Sequence, residues 1–225
     1  MPTSTSSAAA SPLPWAAAVA AAAILAVLGA LVPGLLWLHY LAKPLATLLI
    51  AALVWCAVEA DSRYRRAVLA GLFASTLGDV WLMLPWDAFV AGLASFLLAH
   101  LAYLVAFTGR RALLPLRWPW FAYALLAAAV LALLWPGLPD ALRLPVVVYV
   151  VALAAMAVQA ATIAIELRSG SALLAGFGGF GFVVSDGLLA IDRFHTPLPV
   201  SALWVLTSYW IAQFLIGRSV WHSRR

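Results

Sequence analysis

The chain has 225 residues, of which 66% are hydrophobic and 9% charged, and its mean hydropathy is +1.05. Soluble domains carry about 25% charged residues, so this composition excludes a soluble globular protein, and no hydrophilic stretch is long enough to build a separate one. The net charge of +5 does not point to nucleic acid, because the cations are distributed as flanks of apolar runs.

In chain order, residues 1–14 form an uncharged lead rich in Ser, Thr, Ala and Pro, expected to be disordered and lacking the basic region of a secretory signal. A helix needs about 20 apolar residues to cross the hydrocarbon core. Runs that qualify extend from Trp15 to Val32, Pro44 to Ala60, Ala67 to Leu84 and Ala88 to Phe107, then from Trp118 to Trp135, Leu144 to Ile165, Ala172 to Ile191 and Leu198 to Ile216. Proline and glycine punctuate the breaks, at Pro33-Gly34, Pro85, Pro136-Gly137 and Pro197. The expected fold is all-α, a polytopic helical bundle with eight transmembrane helices in one domain over 15–217. A short basic tail over 218–225 follows. Trp37, His39 and Tyr40 suggest that residues 34–42 form an interfacial segment, with Lys43 and Pro44 opening the second span. Cys56 is the single cysteine, which excludes an intrachain disulfide; inside an apolar run it reads as an inert, buried small hydrophobe.

With eight spans, the N-terminus, the even-numbered loops and the C-terminus share a side. That side collects Arg63, Arg65, Arg66, Arg110, Arg111, Arg117, Arg168, Arg218, Arg224 and Arg225, whereas Lys43, Arg143 and Arg193 fall on the other. The positive-inside rule then puts both termini in the cytoplasm.

Six of the eight acids lie at the ends of apolar runs or between them; Asp79 and Asp186 lie inside. A carboxylate at bilayer depth costs about 2.5–3.5 kcal/mol on insertion scales, so such a group normally faces a cavity or a partner. Each is five residues before the outer end of its expected span, at matching depth, and the short stretches Gly78-Asp79-Val80 and Ser185-Asp186-Gly187 echo each other four spans apart. Ser75, Thr76 and Asp79 share a helix face. The bland alternative is that the acids only staple helices by hydrogen bonding. His100 and Tyr103 form an i, i+3 pair on span four, either as structural residues or as partners of the acids. Tyr209 and Gln213 reach the middle of span eight. Lys43 and Arg193, at the outer rim, either snorkel to the interface or bind a phosphate. The sum is a polar pocket opening outward, with cations at its rim and carboxylates beneath.

Two chemistries are disfavoured. His39, His100, His195 and His222 are too scattered for a three-histidine zinc centre, and neither a metal nor a cofactor is expected. Gly176-Phe-Gly178-Gly179-Phe-Gly181 formally matches a dinucleotide fingerprint but lies inside an apolar span rather than after a strand, so close helix packing is the better account.

Several segments together resemble the YhhN/TMEM86 family of eight-span membrane proteins, the lysoplasmalogenases. They are Lys43-Pro44-Leu45, Gly71-Leu-Phe-Ala-Ser75 through Leu77-Gly78-Asp79, Phe96-Leu-Leu-Ala-His100-Leu-Ala-Tyr103, Val184-Ser185-Asp186, and Tyr209-Trp210-Ile-Ala-Gln213 on to Arg218-Ser219. The likeness covers about Lys43 to Ser219. It implies a membrane-embedded hydrolase that cleaves the vinyl ether bond of lysoplasmalogens, giving a fatty aldehyde and glycerophosphoethanolamine or glycerophosphocholine. A bacterial inner membrane is the expected location. That reaction needs an acid still protonated near neutral pH and a nearby base or negative charge, roles that Asp79 and Asp186 could divide. Lys43 and Arg193 would then hold the lipid phosphate, with His100, Tyr103, Tyr209 and Gln213 around the reacting groups. The competing reading is a proton-coupled carrier or lipid transporter using the same acids; aldehyde release in detergent separates the two, since a transporter needs a sealed bilayer.

Overall fold

The computed structural model describes residues 13–57, 60–112, 118–221 and 223. Eight α-helices occur among them: α1 (Leu13–Leu31), α2 (Leu36–Trp55), α3 (Ser62–Met83), α4 (Phe89–Thr108), α5 (Trp118–Leu134), α6 (Asp140–Leu167), α7 (Gly170–Phe194) and α8 (Ser201–Trp221). Seven are long and apolar enough to cross a membrane. α8 is as long but lowers its hydropathy with Ser201, Thr207, Ser208, Gln213, Arg218 and Ser219, two of which, Gln213 and Ser219, are buried against other helices. Lead residues 1–12, Glu59, Arg117, His222, Arg224 and Arg225 lie outside the described residues, and α8 continues through the start of the expected tail to Trp221.

Helix contacts close a ring. α2 touches α3, α3 touches α4, α4 touches α6, α6 touches α7, α7 touches α8, and α8 returns to α2. In this order α3 and α7 stand across the ring from each other. α1 lies outside it against α2 and α8, and α5 lies outside it against α6. α5 is the least embedded helix, with Phe121 and Leu125 more than 70% exposed, as a lipid-facing helix should be.

Glycines set the closest approaches. A Cβ on Gly71 would run into the ring of Tyr103, and one on Gly78 into the ring of Phe96, so α4 lays two aromatic rings directly on the backbone of α3. In the glycine-rich stretch of α7, Gly178 and Gly181 face Ala212 and Ile216 of α8, while Gly176 and Gly179 face Ala160 and Ala164 of α6. That stretch is therefore a two-sided packing surface, as the apolar context suggested.

Three local expectations need correction. The segment expected at the interface is helical from Leu36, so Pro44 sits inside α2 and Lys43 lies two turns in, 6% exposed, rather than at a rim. Inside α2 the proline removes the ladder bond to the carbonyl of Tyr40 and crowds that carbonyl. Cys56 is exposed at the C-terminal end of α2, not buried. Asp79 lies four residues from the end of α3 and Asp186 eight from the end of α7, because α7 runs past Ile191 to Phe194, so the two acids are not equidistant from their helix ends.

The bundle has two differently charged ends. At one, Arg110 donates to Ser171 Oγ (2.9 Å) and stacks over Tyr64, Arg111 pairs with Glu166, and Asp61 N–H donates to Ser223 O. These contacts tie the start of α3, the end of α4, the α6–α7 turn and the end of α8 together. At the other end Arg193 pairs with Asp87 and Arg143 with Asp140.

Candidate active site

Each helix of the ring sends one or more polar groups inward, and they form two clusters. The first surrounds Asp79, which is 1% exposed. His39, Lys43 and Thr47 repeat every four residues and so share one face of α2. Thr47 Oγ1 donates to Asp79 Oδ2 at 2.7 Å, and Tyr209 from α8 donates to the same oxygen at 2.8 Å. Lys43 Nζ lies 3.9 Å from Asp79 Oδ1, an ion pair too long for a hydrogen bond. Behind Tyr209 the donors run in one direction. Tyr103 OH donates to Gln213 Oε1 (2.6 Å), and Gln213 Nε2 donates to Tyr209 OH (3.2 Å), which in turn donates to Asp79. Trp210 Nε1 adds a donor to Thr47 Oγ1 at 3.3 Å.

The second cluster surrounds Asp186 on α7. Tyr149 OH from α6 donates to Asp186 Oδ2 at 2.6 Å, and His100 Nε2 from α4 lies 3.1 Å from that oxygen and 2.9 Å from Tyr149 OH. Among the described residues His100 Nδ1 has no partner, so the ring bonds through Nε2, which can donate to the carboxylate if it carries the proton. Phe182 packs edge-on against both His100 and Tyr209, with centroids 5.1 and 5.7 Å away, and Phe96 packs edge-on against Tyr209 at 5.7 Å. Phe182 thus touches a member of each cluster, and no hydrogen bond joins the two clusters among the described residues.

Both carboxylates nevertheless line one cavity of about 330 Å³, together with Lys43, His39, Tyr209, Ser185, Asp192 and Arg193. That is the lower end of the size range for small-molecule sites. Arg193, expected at the rim, is among the residues that line the cavity, but it is engaged. Its guanidinium takes both oxygens of Asp87 at 2.8 and 2.7 Å and lies 4.1 Å over the ring of Phe89.

Of the residues anticipated from the sequence, Lys43, Asp79, Asp186, Tyr209 and Arg193 line the cavity, while His100, Tyr103 and Gln213 stand behind it. His100 and Tyr103 do not act as a pair: one meets Asp186 and the other Gln213. Sequence reasoning missed Thr47, Tyr149 and His39. Thr47 and His39 were detectable as the flanking turns of the Lys43 face. Tyr149 was detectable as the polar interruption of Val146-Val-Val-Tyr149-Val-Val, the same signal that exposed the aspartates.

Comparison with known proteins adds a relationship over most of the chain. The model of the YhhN family matches residues 38–220. Lysoplasmalogenase TMEM86B of Homo sapiens is 35% identical over 188 residues, covering 83% of this chain and 77% of the relative. Lysoplasmalogenase of Mycobacterium tuberculosis is 33% identical over 195 residues, covering 83% and 73%. The uncharacterized membrane protein YhhN of Escherichia coli is 29% identical over 186 residues, covering 82% and 88%. No solved structure matches the chain significantly.

Proposed function

Because this chain belongs to the YhhN family, we propose that it is a membrane-embedded lysoplasmalogenase that hydrolyses the vinyl ether of a lysoplasmalogen to a fatty aldehyde and a glycerophospho-alcohol. The observation that carries this reading is the pair of intramembrane carboxylates, from helices on opposite sides of the ring, on the wall of a single cavity. Acids at membrane depth are expensive and are normally retained for function.

The chemistry balances with water as the one co-reactant. A carboxyl group gives a proton to the second carbon of the alkenyl chain. The C=C electron pair forms the new C–H bond and leaves an oxocarbenium ion across the first carbon and the ether oxygen. Water adds to that carbon and passes a proton to a carboxylate. The resulting hemiacetal collapses, breaking the bond between carbon and glycerol oxygen. The hemiacetal hydroxyl gives up its proton to a carboxylate as the C=O forms, the departing glycerol oxygen takes a proton from a carboxyl group, and the aldehyde leaves. Asp79 and Asp186 divide the acid and base roles, and the remaining negative charge stabilises the cationic intermediate. His100 and Tyr149 hold Asp186 in place, and Tyr209, Thr47 and the Tyr103–Gln213 relay hold Asp79. Lys43 and Arg193 supply positive charge for the lipid phosphate, Arg193 by exchanging Asp87 for it.

In this reading all eight helices cross the membrane, α8 included, with the arginine-rich end and both termini in the cytoplasm. The end of the cavity lined by Arg193 and Ser201 then lies toward the outer face, and in a bacterium the protein lies in the inner membrane. Purified protein in detergent is expected to release aldehyde from a lysoplasmalogen and to leave saturated ether and acyl lysolipids of the same head group intact. No aldehyde from any lysoplasmalogen, or cleavage of the acyl lysolipid instead, would remove the assignment.

A further inference from the structure

The polar cavity adjoins a second space of opposite character. An apolar slot lies between the ring and α5, and the two share Leu82, Phe89, Phe96, Asp186 and Leu189 as common walls. Beyond that wall the slot is lined almost wholly by hydrocarbon and aromatic side chains, contributed by one face of α5 (Tyr123, Leu126, Ala127, Val130) and by Leu153 and Ala154 of α6. Along α5 the lining extends from Leu134 to Tyr123, about 16 Å at the helical rise. Gly187, next to Asp186, also lines the slot, and a Cβ there would meet nothing within 4 Å. The wall beside the carboxylate is therefore left open rather than filled.

We propose that this slot receives the single hydrocarbon chain of the lipid whose head group occupies the polar cavity, and that Asp186, on the wall between them, is the carboxyl group at the scissile bond. The proposal rests on the lysoplasmalogen reading and deepens it. The two spaces have the polarity of the two halves of a lysolipid. The vinyl ether is the junction of those halves, since it joins the glycerol oxygen to the first two chain carbons. A lipid laid across the shared wall brings that junction to Asp186, whereas Asp79 lines only the polar side. A chain gains little by exchanging lipid for an equally apolar protein surface. The slot therefore acts by registration: it fixes which carbon stands at the acid, and its far end limits how long a chain can reach that register. α5, held mainly against α6, is the wall that a chain entering from the bilayer passes.

Two experiments on the full chain in lipid vesicles test this. The first uses a saturated 1-O-alkyl lysophospholipid, which cannot be cleaved, carrying a diazirine in mid-chain. After photolysis the label is expected on slot residues such as Leu126, Leu153 and Ala154. Label spread over the outer faces of α1 and α5, as for bulk lipid, would overturn the proposal. The second compares kcat/KM for octadecenyl and decenyl lysoplasmalogens. Ala154→Phe is expected to shift their ratio at least tenfold toward the short chain, while Leu125→Phe, on the lipid face of α5, leaves the ratio at the wild-type value. An unmoved ratio in folded Ala154→Phe would also overturn it. The labelling needs no turnover. If wild-type protein cleaves neither substrate, the enzymatic reading fails, and the label still decides whether a single-chain lipid occupies the slot.

Discussion

Lys43 Nζ stands 3.9 Å from Asp79 Oδ1, and both side chains are buried inside the helix ring. Lys43 is therefore part of the environment of the carboxylate, and a phosphate drawn to it must share the ammonium with Asp79. Removing one member of a buried pair strands the other charge, which costs about 3–5 kcal/mol in well-packed proteins. Lys43→Met is expected to lower the thermal unfolding midpoint in detergent clearly. Adding Asp79→Asn should recover much of that loss, because the stranded charge is gone. Strictly additive losses in a double-mutant cycle would show that the two groups do not form a pair.

Asp79→Asn and Asp186→Asn keep the size of each side chain and its capacity to accept hydrogen bonds from the neighbouring hydroxyls. General acid–base catalysis contributes about 10²–10⁴-fold, so each variant is expected to lose at least that factor in kcat for aldehyde release while eluting as a folded monodisperse species. Near-normal turnover by either would remove that residue from the acid–base pair.

Tyr149 and His100 are hydrogen-bonded to Asp186, so in the proposed mechanism they act on that carboxyl group rather than on the substrate. A hydrogen bond to a charged group contributes about 1.5–3 kcal/mol, which is about 10- to 150-fold in rate when it holds a catalytic group. Tyr149→Phe is expected to lower kcat within that range with KM little changed. A change confined to KM would mean that Tyr149 contacts the lipid instead.

Much of this arrangement was legible before any coordinates. The two acids stood out because each was a lone charge in an apolar run, and the helices because their runs matched the thickness of a bilayer. The start of α2 was misread for a physical reason. Trp37, His39 and Tyr40 are the residue types that settle at membrane interfaces, and a linear scan cannot see that His39 shares a helix face with Lys43 and Thr47. The order of helices around the ring was not legible either. Which helix follows α4 in space depends on side-chain contacts such as His100 on Tyr149, and short loops alone do not force α5 out of the ring. The packing of Phe182 against both His100 and Tyr209 belongs to the same class, since it depends on ring orientation.

Gly71 offers a test of packing independent of chemistry. A methyl group there would overlap the ring of Tyr103, which is fully buried and bonded to Gln213, so the ring has no room to yield. Overpacking of this kind costs about 1–3 kcal/mol. Gly71→Ala is expected to lower the unfolding midpoint, and pairing it with Tyr103→Leu should relieve the overlap. A Gly71→Ala protein as stable as wild type would show that α3 and α4 do not approach this closely.

Arg193 lines the polar cavity and pairs with Asp87, and in the proposed mechanism this contact decides how a phosphate is admitted. The pair is exposed, with side-chain exposures of 36% and 72%, so its own contribution to stability is small, about 0–1 kcal/mol. If Arg193 exchanges Asp87 for the lipid phosphate, the two substitutions must act in opposite directions. Arg193→Ala removes a charge that binds substrate and is expected to raise KM several-fold, with kcat little changed. Asp87→Asn removes the competitor, freeing the guanidinium, and is expected to lower KM. If the contact is only a clasp between the α3–α4 loop and the end of α7, both substitutions loosen the same tie and shift KM the same way. Measuring KM for both variants against one lysoplasmalogen therefore separates phosphate capture from a structural clasp, and raising the salt concentration should weaken the phosphate effect, as screening of exposed charges requires.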